Sequence, residues 1–366
     1  MKTPRDWVTR PLSQFVSLQR GFDLPTHARV PGSVPVLSSG GVNGSHNEAK
    51  VDGDNFVIGR VTNIGRPTWS SVPFWPLNTT LFVKDFLGNF PKFCFYWFLA
   101  TDLSGFDSGS VQPTLNRNYI ANIPVAIPSF VEQRRIAEVL GALDDKIESN
   151  RRIAVKCDEI ANILFHQAAS VNRKLDEVSE VRMGVSPPGS SYNETGDGMA
   201  FFQGVRDFSL LHPVARVYTN QPKRLAAAGD ILFSVRAPVG RLNIADSPCC
   251  IGRGLAAITS NRSATCLFAL RAAAAEWEKF SAEGTVFGAV NQKSLKSTLI
   301  PWPDPVAEEE LEHQLSSLVT LVSQSERESI SLSKLRDALL PELMSGRMRV
   351  DEAGQLVSEA LDEEVR

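Results

Sequence analysis

Positions 175 residues apart carry the same kind of residue over much of this 366-residue chain. Gly65-Arg66 answers Gly240-Arg241, Gly109 answers Gly284, Val111 answers Val286, and Asn116 answers Asn291. The pair Ile127-Pro128 then meets Trp302-Pro303. Nearer the N-terminus the offset is 163, aligning Leu12, Phe15, Gly21 and Pro25 with Leu175, Val178, Gly184 and Pro188. We read the change of offset as one loop of the second unit being about a dozen residues shorter. Each unit runs into a helical segment, so the plan is globular, helix, globular, helix. A repeat this long confines the fold to one plan used twice, and the divergence between copies implies two similar but non-identical targets.

A single core stops growing near roughly 250–300 residues, so two domains with connectors are expected. We place them at 1–128 and 172–305, with helical segments at 129–171 and 306–346 and an acidic tail at 347–366. The fold class expected is α+β: two similar mixed modules, related by a pseudo-twofold repeat and joined by two long helices in an antiparallel coiled coil. No apolar run approaches the ~20 residues of a membrane helix. The nearest, Phe93-Cys94-Phe95-Tyr96-Trp97-Phe98-Leu99, reads as a short buried helix. Met1–Asp6 holds no apolar signal stretch, and a cytoplasmic protein is expected.

The net charge of −3 conceals a division. Residues 1–130 hold 11 Lys+Arg against 8 Asp+Glu, and residues 172–305 hold 15 against 12, so each globular unit carries +3. Residues 306–366 hold 6 against 14. Mildly basic units suit nucleic acid without establishing it, since a solvated surface looks the same. The cysteines Cys94, Cys157, Cys249, Cys250 and Cys266 form no C-x-x-C pair, and the histidines form no metal-binding spacing, so no metal is expected. Cys157 falls on an apolar helix face and reads as a small buried thiol.

The helices carry the clearest periodicity. Ile136, Leu140, Leu143, Ile147, Asn150, Ala154, Cys157, Ala161, Leu164 and Ala168 follow one another in alternating steps of four and three. Such steps form a coiled-coil seam, and the polar Asn150 is the kind of member that fixes register. Pro128 precedes the helix and Ser129 is placed to cap it. The second segment repeats the phase with Leu311, Leu315, Leu318, Val322 and Ser325, then Leu332, Leu335 and Leu339 before Pro341 is expected to stop it. Each seam needs a partner, and the other helix of the same chain is the simplest one; a homodimer is the alternative. The stretch from Ile136 to Ala168 would span roughly 50 Å at ~1.5 Å per residue. That is on the order of 14 base pairs of B-DNA.

Two polar loops recur in the globular units. The first follows a β-type run: Arg60-Val61-Thr62-Asn63-Ile64-Gly65-Arg66 in one copy, Arg236-Ala237-Pro238-Val239-Gly240-Arg241 in the other. Arginine on a turn after a buried strand can reach a phosphate or fork onto guanine. The second loop ends in Asn116-Arg117 in one copy and in Asn291-Gln292-Lys293 in the other. Asn can donate and accept at once, as adenine requires, although it also populates turns for its own reasons. Candidate DNA contacts are therefore Arg60, Arg66, Asn116, Arg117, Arg236, Arg241, Asn291 and Lys293. Candidate helix-pairing residues are Ile136, Leu140, Leu143, Ile147, Asn150, Leu164, Leu311, Leu315, Leu318, Val322 and Leu332. The chain has no G-x-x-x-x-G-K-[ST] phosphate loop, no Asn/Asp-Pro-Pro-aromatic site of an adenine methylase and no nuclease-like carboxylate cluster. No catalysis is expected of it.

The stretch from Ile127-Pro128-Ser129-Phe130-Val131-Glu132-Gln133-Arg134-Arg135-Ile136 to Asn150, with Leu339-Leu340-Pro341-Glu342-Leu343-Met344-Ser345-Gly346, resembles a known pair of helical signatures. They are those of the specificity (S) subunit of type I restriction-modification systems, and the repeat order extends the resemblance over essentially the whole chain. The resemblance implies two target recognition domains, each reading one half of an asymmetric bipartite site on double-stranded DNA. It implies that the paired helices set the gap and dock two adenine-N6 methyltransferase (M) subunits, with restriction (R) subunits in the full complex. S-adenosylmethionine, ATP and Mg2+ would then belong to those partners and none to this chain. The second helix departs from the pattern: it opens on Glu308-Glu309-Glu310-Leu311-Glu312 where the first has Glu132-Gln133-Arg134-Arg135. A different class of function is a coiled-coil adaptor whose units bind protein, which salt-insensitive or absent DNA binding would favour.

Overall fold

The computed structural model describes residues 7–106, 114–282 and 289–362. Gly109, Val111, Gly284 and Val286 of the repeat lie outside the described residues. Helices occupy Pro91–Ala100 (α1), Arg117–Ile120 (α2), Phe130–Ala168 (α3), Leu175–Val178 (α4), Ser263–Ala272 (α5), Ala274–Ala282 (α6), Gln292–Ser297 (α7), Glu308–Met344 (α8) and Val350–Asp362 (α9). The chain divides into two compact units, Met1–Lys146 with Ser331–Arg366, and Ile147–Ile330. None of the described helices is long and apolar enough to cross a membrane.

The two units share the topology of their four-stranded sheet, while a further sheet has three strands in the first unit and five in the second. In the first, a four-stranded antiparallel sheet runs Ser17–Arg20, Thr80–Asp85, Asn55–Gly59, Pro67–Ser70. In the second the repeat-equivalent strands stand in the same order: Glu180–Met183, Leu255–Thr259, Ile231–Ser234, Leu242–Ile244. A short parallel pairing also recurs, Val36-Leu37 beside Trp75-Pro76 and Phe201-Phe202 beside Cys250-Ile251. The apolar-proline repeat has a structural reason too. Pro124–Ile127 pairs with Val8–Pro11, and Leu299–Pro303 pairs with Ala169–Lys174.

The frame repeats at the level of single hydrogen bonds. Gly59 N–H donates to Arg66 O at 3.0 Å and Ser234 N–H to Arg241 O at 2.9 Å. Arg60 N–H donates to Thr79 O at 3.0 Å and Val235 N–H to Gly254 O at 2.9 Å. Leu115 N–H reaches Arg60 O, and Val290 N–H reaches Val235 O, both at 2.9 Å. These pairs hold the 175-residue offset without exception. The expected length difference runs the other way: a larger downstream offset means residues added to the second copy. They lie between Met199–Phe202 and Ile231–Ser234, which residues 203–230 join, where residues 39–54 suffice in the first unit.

Ser129 caps α3, its Oγ accepting from Glu132 N–H at 3.3 Å. In the first unit α3 and α8 run antiparallel. Asp144 meets Arg336, whereas Arg135, earlier in α3, pairs with Asp351, later in the chain. In the second unit Ala154, Cys157, Ala161 and Phe165 of α3 share one core with Leu311, Leu315 and Val322 of α8. The proline expected to end α8 lies inside it. The helix runs on to Met344 because Leu343 and Met344 are buried, which offsets the one backbone hydrogen bond that Pro341 removes. The residues read as an acidic tail form α9, whose Val350, Ala353 and Val357 are buried while Asp351, Glu352 and Glu359 stay exposed. Alternation of apolar and acidic residues at helical spacing made that helix.

The apolar run Phe93–Leu99 is indeed a buried helix, α1, and Cys157 is buried. Both long helices also cap a short one. Gln133 Oε1 accepts from Phe90 N–H at 2.8 Å at the start of α1, and the Glu312 carboxylate accepts from Ala264 and Thr265 N–H at 3.1 and 2.8 Å at the start of α5. Each module is thereby anchored to a helix through otherwise orphaned backbone donors.

Candidate functional site

The recurring glycine-arginine step separates into a structural half and an exposed half. Gly65 and Gly240 have φ of 77° and 85°, in the left-handed region that favours glycine. A Cβ on Gly65 would stand 2.7 Å from Leu103 Cβ, and one on Gly240 would stand 2.6 Å from the buried Trp277 ring. Arg66 and Arg241 beside them are exposed, and so are Arg236 and Lys293. The charged ends of Arg236, Arg241 and Lys293 make no hydrogen bond or ion pair to a described residue. They are available to an external anion.

The other candidates are partly committed to the fold. Asn116 caps α2, accepting from Asn118 N–H at 3.0 Å, and Asn291 caps α7, accepting from Ser294 N–H at 2.9 Å. Capping accounts for their recurrence; the amide N–H groups remain for other partners. Arg60 is half-buried. Its Nε donates to Leu115 O at 3.2 Å and its Nη1 to Asn78 O at 3.0 Å. Burial, and secondarily the neighbouring charge of Arg20, hold its pKa below the usual arginine value. Its repeat equivalent is the buried Val235 rather than Arg236, so Arg60 acts here as a staple between two loops. Arg117 donates to Leu18 O at 3.0 Å and remains exposed.

Along the seam, Ile136, Leu140, Leu143, Asn150, Leu311, Leu315, Val322 and Leu332 are buried, and Leu164 and Leu318 pack against the second core from partly buried positions. Ile147 is half-buried. The seam also widens. Phe165, one step off its period, is fully buried in the second core and was not among the expected pairing residues. Asn150 is 1% exposed and its Nδ2 has no hydrogen-bond partner.

Sequence reading passed over the exposed cations Arg206, Lys223, Arg224 and Arg253, because none has a basic counterpart 175 residues earlier. Composition offered the only signal: segments 184–188, 203–207, 221–225, 236–241, 252–254 and 289–293 hold seven cations and one carboxylate, Asp207. That carboxylate accepts from Arg216 at 3.2 Å. Among the described residues no group of three or more His, Cys, Asp or Glu is placed to hold a metal ion.

The comparisons fit this geometry. A family model described as the type I restriction modification DNA specificity domain matches residues 4–156 and again residues 169–331. A Methanocaldococcus jannaschii protein named as the specificity subunit of the type I restriction enzyme MjaX is 29% identical over 265 residues. That match covers 65% of this chain and spans 62% of the relative's length. Among solved structures, the S subunit of a type I restriction-modification system from M. genitalium superposes with a TM-score of 0.67 at 15% identity, covering 94% of this chain and 98% of that one. The likeness there is one of fold.

Proposed function

The chain belongs to the type I restriction modification DNA specificity family, and from that membership we propose that it is the non-catalytic, DNA-reading subunit of a methyltransferase–endonuclease complex. Each unit reads one half of an asymmetric, gapped site on double-stranded DNA. The long helices set the gap and dock two adenine-N6 methyltransferase subunits, which restriction subunits join in the full complex. S-adenosylmethionine, ATP and Mg2+ act in those partners.

The observation that carries the reading is that the family match falls twice, on two modules sharing one hydrogen-bond frame but differing in their exposed loops. A common frame presents loops in a common pose, and different loops read different bases. Exposed Arg66, Arg117, Arg236, Arg241 and Lys293 are the candidate phosphate and base contacts. Asn116 and Asn291 contribute through their amide N–H groups. Arg60 shapes the loop that carries Arg66. Phosphate contacts fix register, and the few side chains that reach base edges fix sequence. A methylase that extrudes its target adenine can delegate reading to such a subunit.

The test is an exchange of residues 1–128 for those of another family member, read by methylation sequencing of cells that hold the matching methyltransferase. One half of the methylated motif should change and the other should stay. Change in both halves, or in neither while the complex still assembles, overturns the assignment. One heptad added to each helix should lengthen the gap, and an unchanged gap would remove the ruler role.

A further inference from the structure

We propose that Arg253 reads one base pair of the half-site met by the second unit, from the centre of a cationic loop edge where the first unit carries Asn78 at the equivalent position. The inference rests on the DNA-reading function proposed above and assigns that function's sequence specificity to a particular side chain.

Arg253 is the one exposed residue of the turn Gly252-Arg253-Gly254, between the fully buried Ile251 and Leu255. The turn is stitched to each loop around it. Gly252 N–H donates to Phe202 O at 2.9 Å, Ile251 N–H to Arg224 O at 2.9 Å, and Val235 N–H to Gly254 O at 2.9 Å. Val185 N–H donates to Ile251 O at 3.0 Å, and Arg253 N–H itself donates to Ser186 Oγ at 3.2 Å. The flanking glycines are required by this crowding. A Cβ on Gly254 would stand 2.2 Å from Gln203 O, and one on Gly252 would stand 3.0 Å from the Phe201 ring. The arginine is thus carried on a stem that cannot shift without moving four neighbouring segments. Rigid presentation of the backbone is what a base-reading side chain requires.

The neighbours supply the field. Arg224 sits across from Ile251, Arg236 follows Val235, and Arg206 lies on the loop after Phe202. All three are exposed, and none of their guanidinium groups meets a described residue. The one carboxylate in these loops, Asp207, is taken by Arg216. Cations ringing a central arginine would hold the phosphates on either side of the base it reads, and a guanidinium presents the fork that guanine O6 and N7 accept.

The first unit is built otherwise at the same place. Asn78 stands where Arg253 stands, and its side-chain amide donates to Asp23. Asn78 O accepts from Arg20 and Arg60, so both cations are partly committed to the protein there. The two half-sites are then read by different chemistry at one equivalent position: a free arginine in the second unit, a tethered amide in the first.

The test uses the full chain with its methyltransferase and compares methylation motifs for wild type, Arg253→Ala and Arg253→Lys. Melting curves check that the exposed substitutions leave the fold intact. Both variants should relax one position in the half assigned to the second unit, with a roughly ten- to hundredfold loss of preference there, because lysine keeps the charge and loses the fork. Uniform weakening by alanine with wild-type behaviour for lysine shows a phosphate anchor and overturns the proposal. An unchanged motif in both variants overturns it as well. If wild type itself yields no gapped motif, the DNA-reading function fails and this inference falls with it.

Discussion

Asp144 of α3 accepts a 2.8 Å hydrogen bond from Nη1 of Arg336 in α8, closing the antiparallel helix pair inside the first unit. Its other oxygen accepts from Tyr96 of α1 at 2.6 Å, so one carboxylate ties the recognition module to both long helices. Burial, and then the negative charge of Asp144, push the Tyr96 phenol well above its usual range, keeping it the donor. The Asp144 and Arg336 side chains are each 23% exposed, so the pair is only partly desolvated.

Replacing Asp144 by alanine leaves the Tyr96 phenol without its acceptor and the Arg336 guanidinium held by Asp337 alone. We expect a loss of about 2–3 kcal/mol, below the full range for a buried pair because of that exposure. Asp144→Asn, which keeps an acceptor oxygen, should lose less. Urea denaturation of the three proteins decides it, and equal midpoints would mean that solvent already screens the interaction.

The glycine-arginine step predicts opposite phenotypes for adjacent residues. Gly240→Ala forces a methyl group to within 2.6 Å of the buried Trp277 ring at a backbone φ of 85°, and should cost about 2 kcal/mol or more. Arg241→Ala removes an exposed side chain and should shift stability by less than about 0.5 kcal/mol while weakening DNA binding. Thermal melting beside a salt-dependent binding assay separates the two. An alanine at 241 that melts early and binds normally would reverse the roles.

How much of this was legible before the structure depends on what recurrence measures. The seam through Ile136, Leu140 and Leu143 was readable because helix pairing imposes a strict period. The repeated Gly65 and Gly240 were equally visible, yet they recur because a left-handed turn is crowded by Leu103 or Trp277. Asn116 and Asn291 recur because both cap a helix. A repeat therefore marks frame more faithfully than target. The side chains that differ between copies are where two recognition modules must diverge, and comparing copies passes over them, as it passed over Arg253. Pro341 and α9 depart from the sequence expectation for a simpler reason: local rules for helix ends yield where tertiary burial is large enough.

The asparagine caps lend themselves to a substitution that splits structure from recognition. Asn291→Ala should cost about 1 kcal/mol through the lost bond to Ser294 N–H. Asn291→Asp keeps that acceptor and should retain stability, but it loses the amide donors and adds a negative charge at the proposed DNA contact. If the aspartate variant binds DNA as wild type does, the amide takes no part in recognition and Asn291 is a cap alone.

Acid should reveal a small contribution from Glu148. Hydrogen bonds from Arg151 and Arg152 lower its pKa from an ordinary 4.5 to about 2. A depressed carboxylate stabilises the fold fully above the unfolded value, and that stabilisation is lost as pH falls from about 4.5 through about 2. With its side chain 40% exposed, the expected size is only a few tenths of a kcal/mol. The stability gap between wild type and Glu148→Gln should therefore be small at neutral pH and close in acid; a gap that widens in acid has the wrong sign for this pairing.

Asn150 carries the sharpest conflict between stability and specification. It is 1% exposed inside an otherwise apolar seam, and its Nδ2 lacks a hydrogen-bond partner. Burying half an amide without a partner costs about 1–3 kcal/mol, so Asn150→Leu should raise the unfolding midpoint. The repeat-equivalent residue of the other helix is Ser325, itself buried, so each helix carries one polar break in its apolar seam. A polar break disfavours shifted or parallel helix pairings that would bury it against leucine, and an all-apolar seam loses that discrimination. The leucine variant should then melt higher but sample additional oligomers, as sedimentation at increasing concentration would show. A variant both more stable and uniformly in the wild-type state would leave Asn150 with no role in register.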